Sequence, residues 1–234
     1  FRTIRQPKAL MLIGGNVSSA EAGEVWHLLD EKVGMPITKV MTNSVGRIDW
    51  SKYNTLVLPS GNYSSLGERT VDRIKQWVRE GGTVITLRSA TSWAVSSKFV
   101  NEKFAERPKR DVPDRMDYVT SRAFNGSNSV GGSMYMTDVD ITHPLAFGYT
   151  QRDLPVYRNH SIFLAPSSSP FATVVKYKEN PLLSGYVNKT NLEKIGGTAS
   201  LIVSGIGRGS VIMFADNPNF RGMWYGTNKL FLNA

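Results

Sequence analysis

Between Lys8 and Leu87, short apolar runs alternate with stretches of helical periodicity, and this alternation constrains the fold more tightly than any other feature of the chain. Lys8–Ile13 (KALMLI) runs into Gly14-Gly15 and reads as a buried strand. Ser18 and Ser19 are candidate helix caps, and Glu21 and Glu24 fall in the early turns, where carboxylates suit the helix dipole. Ala22, Val25, Leu29 and Val33 recur at helical spacing until Gly34 ends the helix. Pro36–Met41 and Asn54–Leu58 (NTLVL) read as the second and third strands. Glu68–Glu80 reads as a helix with Val71, Ile74, Trp77 and Val78 inward, stopped by Gly81-Gly82 before a fourth strand, Thr83–Leu87. Strands separated by helices imply right-handed crossovers and a parallel sheet covered on both faces.

From about Phe104 to Pro181 the helical period fades. Met134–Ile141 and Leu154–Leu164 contain short strand-like stretches, and Gly126–Gly132 reads as a flexible loop. This segment (about 104–181) lacks the long crossovers that parallel strands need, so it reads as an insertion of antiparallel strands. Ala199–Val203 and Ser210–Phe214 then read as strands joined by the tight turn Gly205–Gly209, and a last helix starts near Gly222. The sheet expected from these runs comprises Lys8–Ile13, Pro36–Met41, Asn54–Leu58, Thr83–Leu87 and Ala199–Val203.

The 234 residues, 41% of them hydrophobic, suffice for one large α/β domain with a real core. No apolar run approaches the roughly 20 residues of a membrane span. The first residue is Phe1 and the last stretch, Lys229–Ala234, is apolar and helical, so the chain reads as a fragment of a longer protein. Cysteine is absent, which excludes disulfides, thiolate metal sites and a Cys nucleophile. The net charge of +9 is scattered, and the densest stretch, Lys98–Arg115, mixes both signs and is broken by Pro108 and Pro113. Such a segment reads as a solvated loop and not as a nucleic-acid surface.

Ligands of open parallel sheets bind beyond the carboxyl ends of the strands. There the chain offers Gly14, Gly15 and Asn16, then Ser60 and Gly61, then Arg88 and Ser89, and finally Asn217 and Arg221. Gly14-Gly15-Asn16 can hold an anion on backbone amides, but it lacks both G-x-G-x-x-G spacing and a G-K-S/T ending, and so reads first as a plain strand-to-helix turn. Ser89 stands where a nucleophile elbow would present its serine, although its neighbours at two residues either side, Leu87 and Thr91, are not glycine; the alternative is a helix cap. Asp216 reads as the cap of the last turn, with Arg221 paired to an acidic group. A serine nucleophile needs a base within reach, and the histidines are three: His27, His143 and His160. His27 and Asp30 match a zinc-type His-x-x-acid pair without a third ligand, so no metal site is expected.

At these loops the sequence resembles class I glutamine amidotransferase-like domains, on Asn54–Gly61 (NTLVLPSG), Gly81–Ser89 (GGTVITLRS) and Gly207–Pro218 (GRGSVIMFADNP). The resemblance implies a flavodoxin-like, doubly wound, mostly parallel sheet. A closer resemblance is to the amidotransferase-like domain that follows the catalytic domain in bacterial secreted zinc carboxypeptidases of the carboxypeptidase A type, on Asp140–Tyr149 (DITHPLAFGY) and Asn217–Ala234 (NPNFRGMWYGTNKLFLNA). It implies a periplasmic or secreted protein, a peptidase domain in the same polypeptide as partner, and zinc only in that domain. The departures imply loss of chemistry: Arg88 or Ser89 stands where the family has its Cys, and Asn217 where it has its His. The expectation is therefore a non-catalytic accessory domain without a cofactor of its own, binding a peptide or glycan. The alternatives are a serine hydrolase using Ser89 with His143 or His160, and an independent sugar- or nucleotide-binding module.

Overall fold

The computed structural model describes residues 6–106, 114–127 and 129–234. The first residues, Asn128 and the part of the charged loop that holds Pro108 and Pro113 lie outside the described residues. Nine strands form one sheet: β1 (Ala9–Ile13), β2 (Thr38–Met41), β3 (Thr55–Leu58), β4 (Thr83–Leu87), β5 (Ser133–Val139), β6 (Asp153–Arg158), β7 (Thr173–Ser184), β8 (Ala199–Ile206) and β9 (Gly209–Phe214). Their spatial order is β2-β1-β3-β4-β9-β8-β7-β5-β6. The first five in that order are parallel, and every later pairing is antiparallel. The fold is thus α/β, with a mostly parallel, flavodoxin-like centre and an antiparallel extension.

The helices are α1 (Ser19–Trp26, continued by a π-helical stretch His27–Lys32), α2 (Glu68–Arg79), α3 (Ser89–Ser96), α4 (Ser121–Ser127), α5 (Lys189–Ile195) and α6 (Tyr225–Leu232). Strand alternation divides the core. Met11, Val57, Ile85, Ile212 and Phe214 pack with Val25 and Leu29 of α1 and Leu230 and Phe231 of α6. Leu10, Leu12, Leu56, Leu58, Val84 and Met213 pack on the opposite face with Ile74, Trp77 and Val78 of α2 and Ala94 of α3. Both faces of the central strands are therefore dry, as a parallel sheet requires.

Two expectations need correction. Ala199–Val203 is in the sheet but runs antiparallel; the fifth parallel strand is its hairpin partner β9. A turn as short as Gly207-Arg208 can only reverse the chain, and Gly207 takes φ +61°, a conformation that glycine adopts without strain. Gly126 lies not in a loop but in helix α4, and the connection to β5 is correspondingly shorter.

Candidate functional site

The loop residues singled out from the sequence as possible ligand-binding positions, Gly14, Gly15, Asn16, Ser60, Gly61, Arg88, Ser89, Asn217 and Arg221, fall along one edge of the sheet, beyond the carboxyl ends of β1, β3, β4 and β9. Arg88 turns the chain from β4 into α3 with φ 49° and ψ −112°. A non-glycine residue there is strained by about 1–3 kcal/mol, and a strained strand-to-helix turn is the geometry of a nucleophile elbow. The elbow residue is thus Arg88, and Ser89 is the first helical residue. Ser89 is not the helix cap: its hydroxyl lies 2.7 Å from the Ser60 hydroxyl and donates to the Gly61 carbonyl at 3.2 Å.

Helix α1 holds this edge together. Ser18 caps it, accepting from the Glu21 amide. Glu21, 4% exposed, takes the Arg88 guanidinium on Oε1 at 2.7 Å and the Ser60 amide on Oε2 at 3.0 Å. One turn later Glu24 accepts from Asn217 Nδ2 at 2.5 Å and from the Arg221 amide at 2.6 Å. Two carboxylates spaced three residues apart thereby tie the loops after β3, β4 and β9 to one helix. Burial pushes the Glu21 carboxyl up, and the Arg88 charge and hydrogen bond pull it back part of the way. Arg221 binds Glu24 through its backbone, while its guanidinium lies 5.1 Å from the Phe220 ring centre.

The Gly14-Gly15-Asn16 turn carries φ +75° at Gly14 and +57° at Gly15. The amides that follow are already used, Val17 by the Gly14 carbonyl at 3.1 Å and Ser18 by the Ser60 carbonyl at 2.7 Å. Between this turn and the β3 loop lies an open cleft of about 490 Å³, lined by Asn16, Ser18, Ser60, Asn62 and Ser89. Its polar side-chain lining is hydroxyl and carboxamide, beside the apolar Val17, and the nearby cation, Arg88, is neutralised by Glu21.

His160 does not reach Ser89 as a base. Its Nδ1 accepts from the Ile162 amide at 3.1 Å, so in the neutral ring the proton sits on Nε2 and is donated to Asp216 Oδ1 at 2.9 Å. Neither nitrogen is left to accept a proton. Burial and the Arg158 charge push His160 down to about 4. Asp216 caps no turn; it is the acceptor of a buried cluster, with Tyr177 and Ser200 hydroxyls on Oδ2, each at 2.5 Å, and Arg158 Nη1 3.8 Å from Oδ1. Burial raises the Asp216 carboxyl, but the His160 hydrogen bond, the Arg158 charge and the Ser200 hydroxyl outweigh it and hold the group below its ordinary value. His143 follows β5, which runs opposite to β9, and so stands at the other sheet edge, where its Nδ1 accepts from the Leu145 amide. Asp30, the expected companion of His27, accepts the Trp26 indole N–H at 2.6 Å.

Sequence reasoning missed the Asp216 cluster and the bridging role of Glu21 and Glu24. The one signal for the former is Arg158-Asn159-His160, a cation and a histidine closing a strand of the insertion.

No family model matches the chain, and a search of curated proteins finds no match. Solved structures do match. A ThuA-like protein from Bacteroides uniformis superposes with a TM-score of 0.58 at 15% identity, over 100% of this chain and 92% of that one. A protein from Thermoplasma acidophilum, described as a component of GMP synthase, gives 0.57 at 9% identity over 98% and 93%. The fold is glutamine amidotransferase-like. A β-galactosidase from Bacillus circulans also matches, at TM-score 0.52 and 12% identity, over 96% of this chain but only 30% of its own.

Proposed function

We propose that this chain is a non-catalytic binding domain of amidotransferase-like fold, an accessory part of a periplasmic or secreted zinc-carboxypeptidase-like protein. The observation that carries the reading is Arg88: the strained elbow position, where the fold presents its nucleophile, holds a guanidinium locked to Glu21. An arginine stays protonated and is neither nucleophile nor base at neutral pH. The nearest hydroxyls, Ser60 and Ser89, pair with each other, and no described histidine nitrogen is bonded to either. The 490 Å³ cleft above them suits a neutral, hydrogen-bonding ligand, a glycan or an extended peptide backbone. Attachment to a peptidase rests on the resemblance of Asp140–Tyr149 and Asn217–Ala234. The β-galactosidase match, confined to a minor share of that chain, is in keeping with a fold that serves as one part of a larger polypeptide.

The test pairs two assays. Ammonia release from glutamine and turnover of a nitrophenyl ester should stay at background for the purified chain. Calorimetric titration with oligosaccharides and with peptides should find one class that binds, weakened by Ser60→Ala. Ester turnover lost in Ser89→Ala at unchanged thermal midpoint would replace this reading by the serine hydrolase.

A further inference from the structure

On the other side of the Gly14–Ser18 loop lies a second cavity, an apolar groove of about 310 Å³ between α1 and the edge strand β2. Ile13, Val17, Ala22, Trp26 and Met41 form its walls. Two further residues lining it, Gly23 and Lys39, are not explained by packing.

Gly23 sits in the middle of α1, where glycine is less favourable than alanine. Its backbone needs no glycine, and a Cβ placed there would meet no atom within 4 Å. The space in front of it is the groove. Lys39 pairs in register with Met11, and Met41 with Ile13, so Lys39 projects on the sheet face that α1 covers. Its ammonium stands 5.1 Å from the Trp26 ring centre. Among the described residues no carboxylate pairs with it, and Asp30 accepts the Trp26 indole instead.

A groove with apolar walls, a helix wall kept free of side chain and an unpaired cation at its strand side has the chemistry of an amphiphilic anion site. We propose that it binds a small apolar carboxylate, an aryl or short alkyl acid. The hydrocarbon body lies against Ile13, Val17 and the Gly23 backbone, and the carboxylate meets Lys39. The volume is at the lower end of ligand pockets, room for one ring or a short chain. The site is independent of the hydroxyl cleft, from which Val17 separates it. The competing account makes Lys39 only a guard against edge-to-edge pairing of β2, as inward charges on edge strands often are; it predicts an empty groove.

Phenylacetate and hexanoate, with phenylethanol and hexanol as uncharged counterparts, are titrated into the whole chain by calorimetry and amide NMR. The acids should bind saturably and about fivefold more tightly than the alcohols, the scale of one partly exposed ion pair. Lys39→Met should bring the acids down to the alcohols, and Lys39→Arg should keep the difference. Gly23→Leu should remove binding of both, while Gly23→Ala keeps the fold with a thermal midpoint at or above that of the native chain. Absence of binding by all four probes at about 10 mM, far above the weak end of ligand affinities, overturns the proposal. Unchanged binding in Gly23→Leu overturns it as well, and equal affinity for acids and alcohols overturns the carboxylate assignment. If Gly23→Leu fails to fold, the Lys39 series decides alone, because that side chain is exposed. Ser60→Ala and Ser89→Ala should leave every one of these values unchanged, which separates this site from the hydroxyl cleft.

Discussion

Two charged clusters stand along the same sheet edge, one beyond β4 and one beyond β9, and they have opposite character. Around Asp216, the Arg158 side chain is 0% exposed and that of His160 7%. Around Glu21, the Arg88 side chain is 26% exposed, and its neighbour Ser89 lines an open cleft. The neighbours make the difference. Beyond β9 the sheet continues through β8, β7, β5 and β6, and side chains of β8, β7 and β6, with His160 from the loop after β6, converge on the Asp216 carboxylate and seal it. Beyond β1, β3 and β4 the chain leaves through loops into helices, and loops cannot cover the strand ends as an added strand does. The same kind of pair, a buried carboxylate with an arginine, is thereby part of a sealed structural post on one side and lies beside an open recess on the other.

The comparison is broken most severely at Asp216. Asp216→Ala leaves Arg158 buried without a counter-charge and removes the acceptor of His160, Tyr177 and Ser200. The expected loss is about 3–5 kcal/mol, read from urea unfolding followed by circular dichroism. A loss below about 1 kcal/mol would mean that water reaches the cluster and that it is not a sealed post.

The pH dependence tests the same seal. The folded chain holds His160 neutral down to about 4, whereas the unfolded chain protonates it near 6.5. The unfolded state therefore binds the proton first, and stability falls as pH drops from about 6.5 to about 4, by on the order of 3 kcal/mol. Asp216, held below its ordinary value, extends the loss below pH 4. Urea midpoints at pH 7, 5.5 and 4 should decline in the native chain and flatten in His160→Gln. An equal decline in the variant would assign the effect to other groups.

The open cluster should be more forgiving. Arg88→Ala strands the Glu21 carboxylate, but solvent beside Arg88 and protonation of a carboxyl already pushed up limit the loss to about 2 kcal/mol. Adding Glu21→Gln should recover most of it. Arg88→Gly should be milder than Arg88→Ala by about 1 kcal/mol, because glycine accepts φ 49° without strain. Guanidinium unfolding of the four chains checks both statements, and an Arg88→Gly chain less stable than Arg88→Ala would show the elbow to be unstrained.

The parallel half was legible in the sequence because its central strands are short apolar runs close to glycine, as in Lys8–Ile13 before Gly14 and Thr83–Leu87 after Gly82. The direction of Ala199–Val203 was not, since an apolar run looks the same whichever way it runs; only the shortness of the Gly207-Arg208 turn carries that information. The site was legible as a set of loops, through their place after strands. Its wiring was not, because Glu21 pairs with a residue 67 positions away and Glu24 with one 193 away, distances at which local periodicity has no content. The Asp216 cluster was hidden for the same reason: its acceptor follows β9, and its donors come from β6, β7, β8 and a loop.

The smallest effect belongs to the hydroxyl pair. Ser60 and Ser89 stand 2.7 Å apart on backbone that other bonds already fix: the Ser60 amide by Glu21, the Ser60 carbonyl by the Ser18 amide, and Ser89 by its place in α3. Their mutual hydrogen bond exchanges for water at little net gain, because both side chains border the open cleft. Each single alanine variant should therefore cost no more than about 1 kcal/mol, and the double-mutant cycle should show a coupling of about 0.5 kcal/mol. A hydroxyl activated for attack would behave otherwise. It would be held by a base with a free acceptor nitrogen, and its removal would abolish turnover while stability stayed level. His160 has no such nitrogen, and Arg88 beside the pair offers only donors. Stability of the four chains and their ligand affinity should thus fall together and modestly, with hydrolysis at background throughout. A coupling above about 2 kcal/mol would show the recess to be as closed as the Asp216 cluster and would erase the contrast between the two clusters.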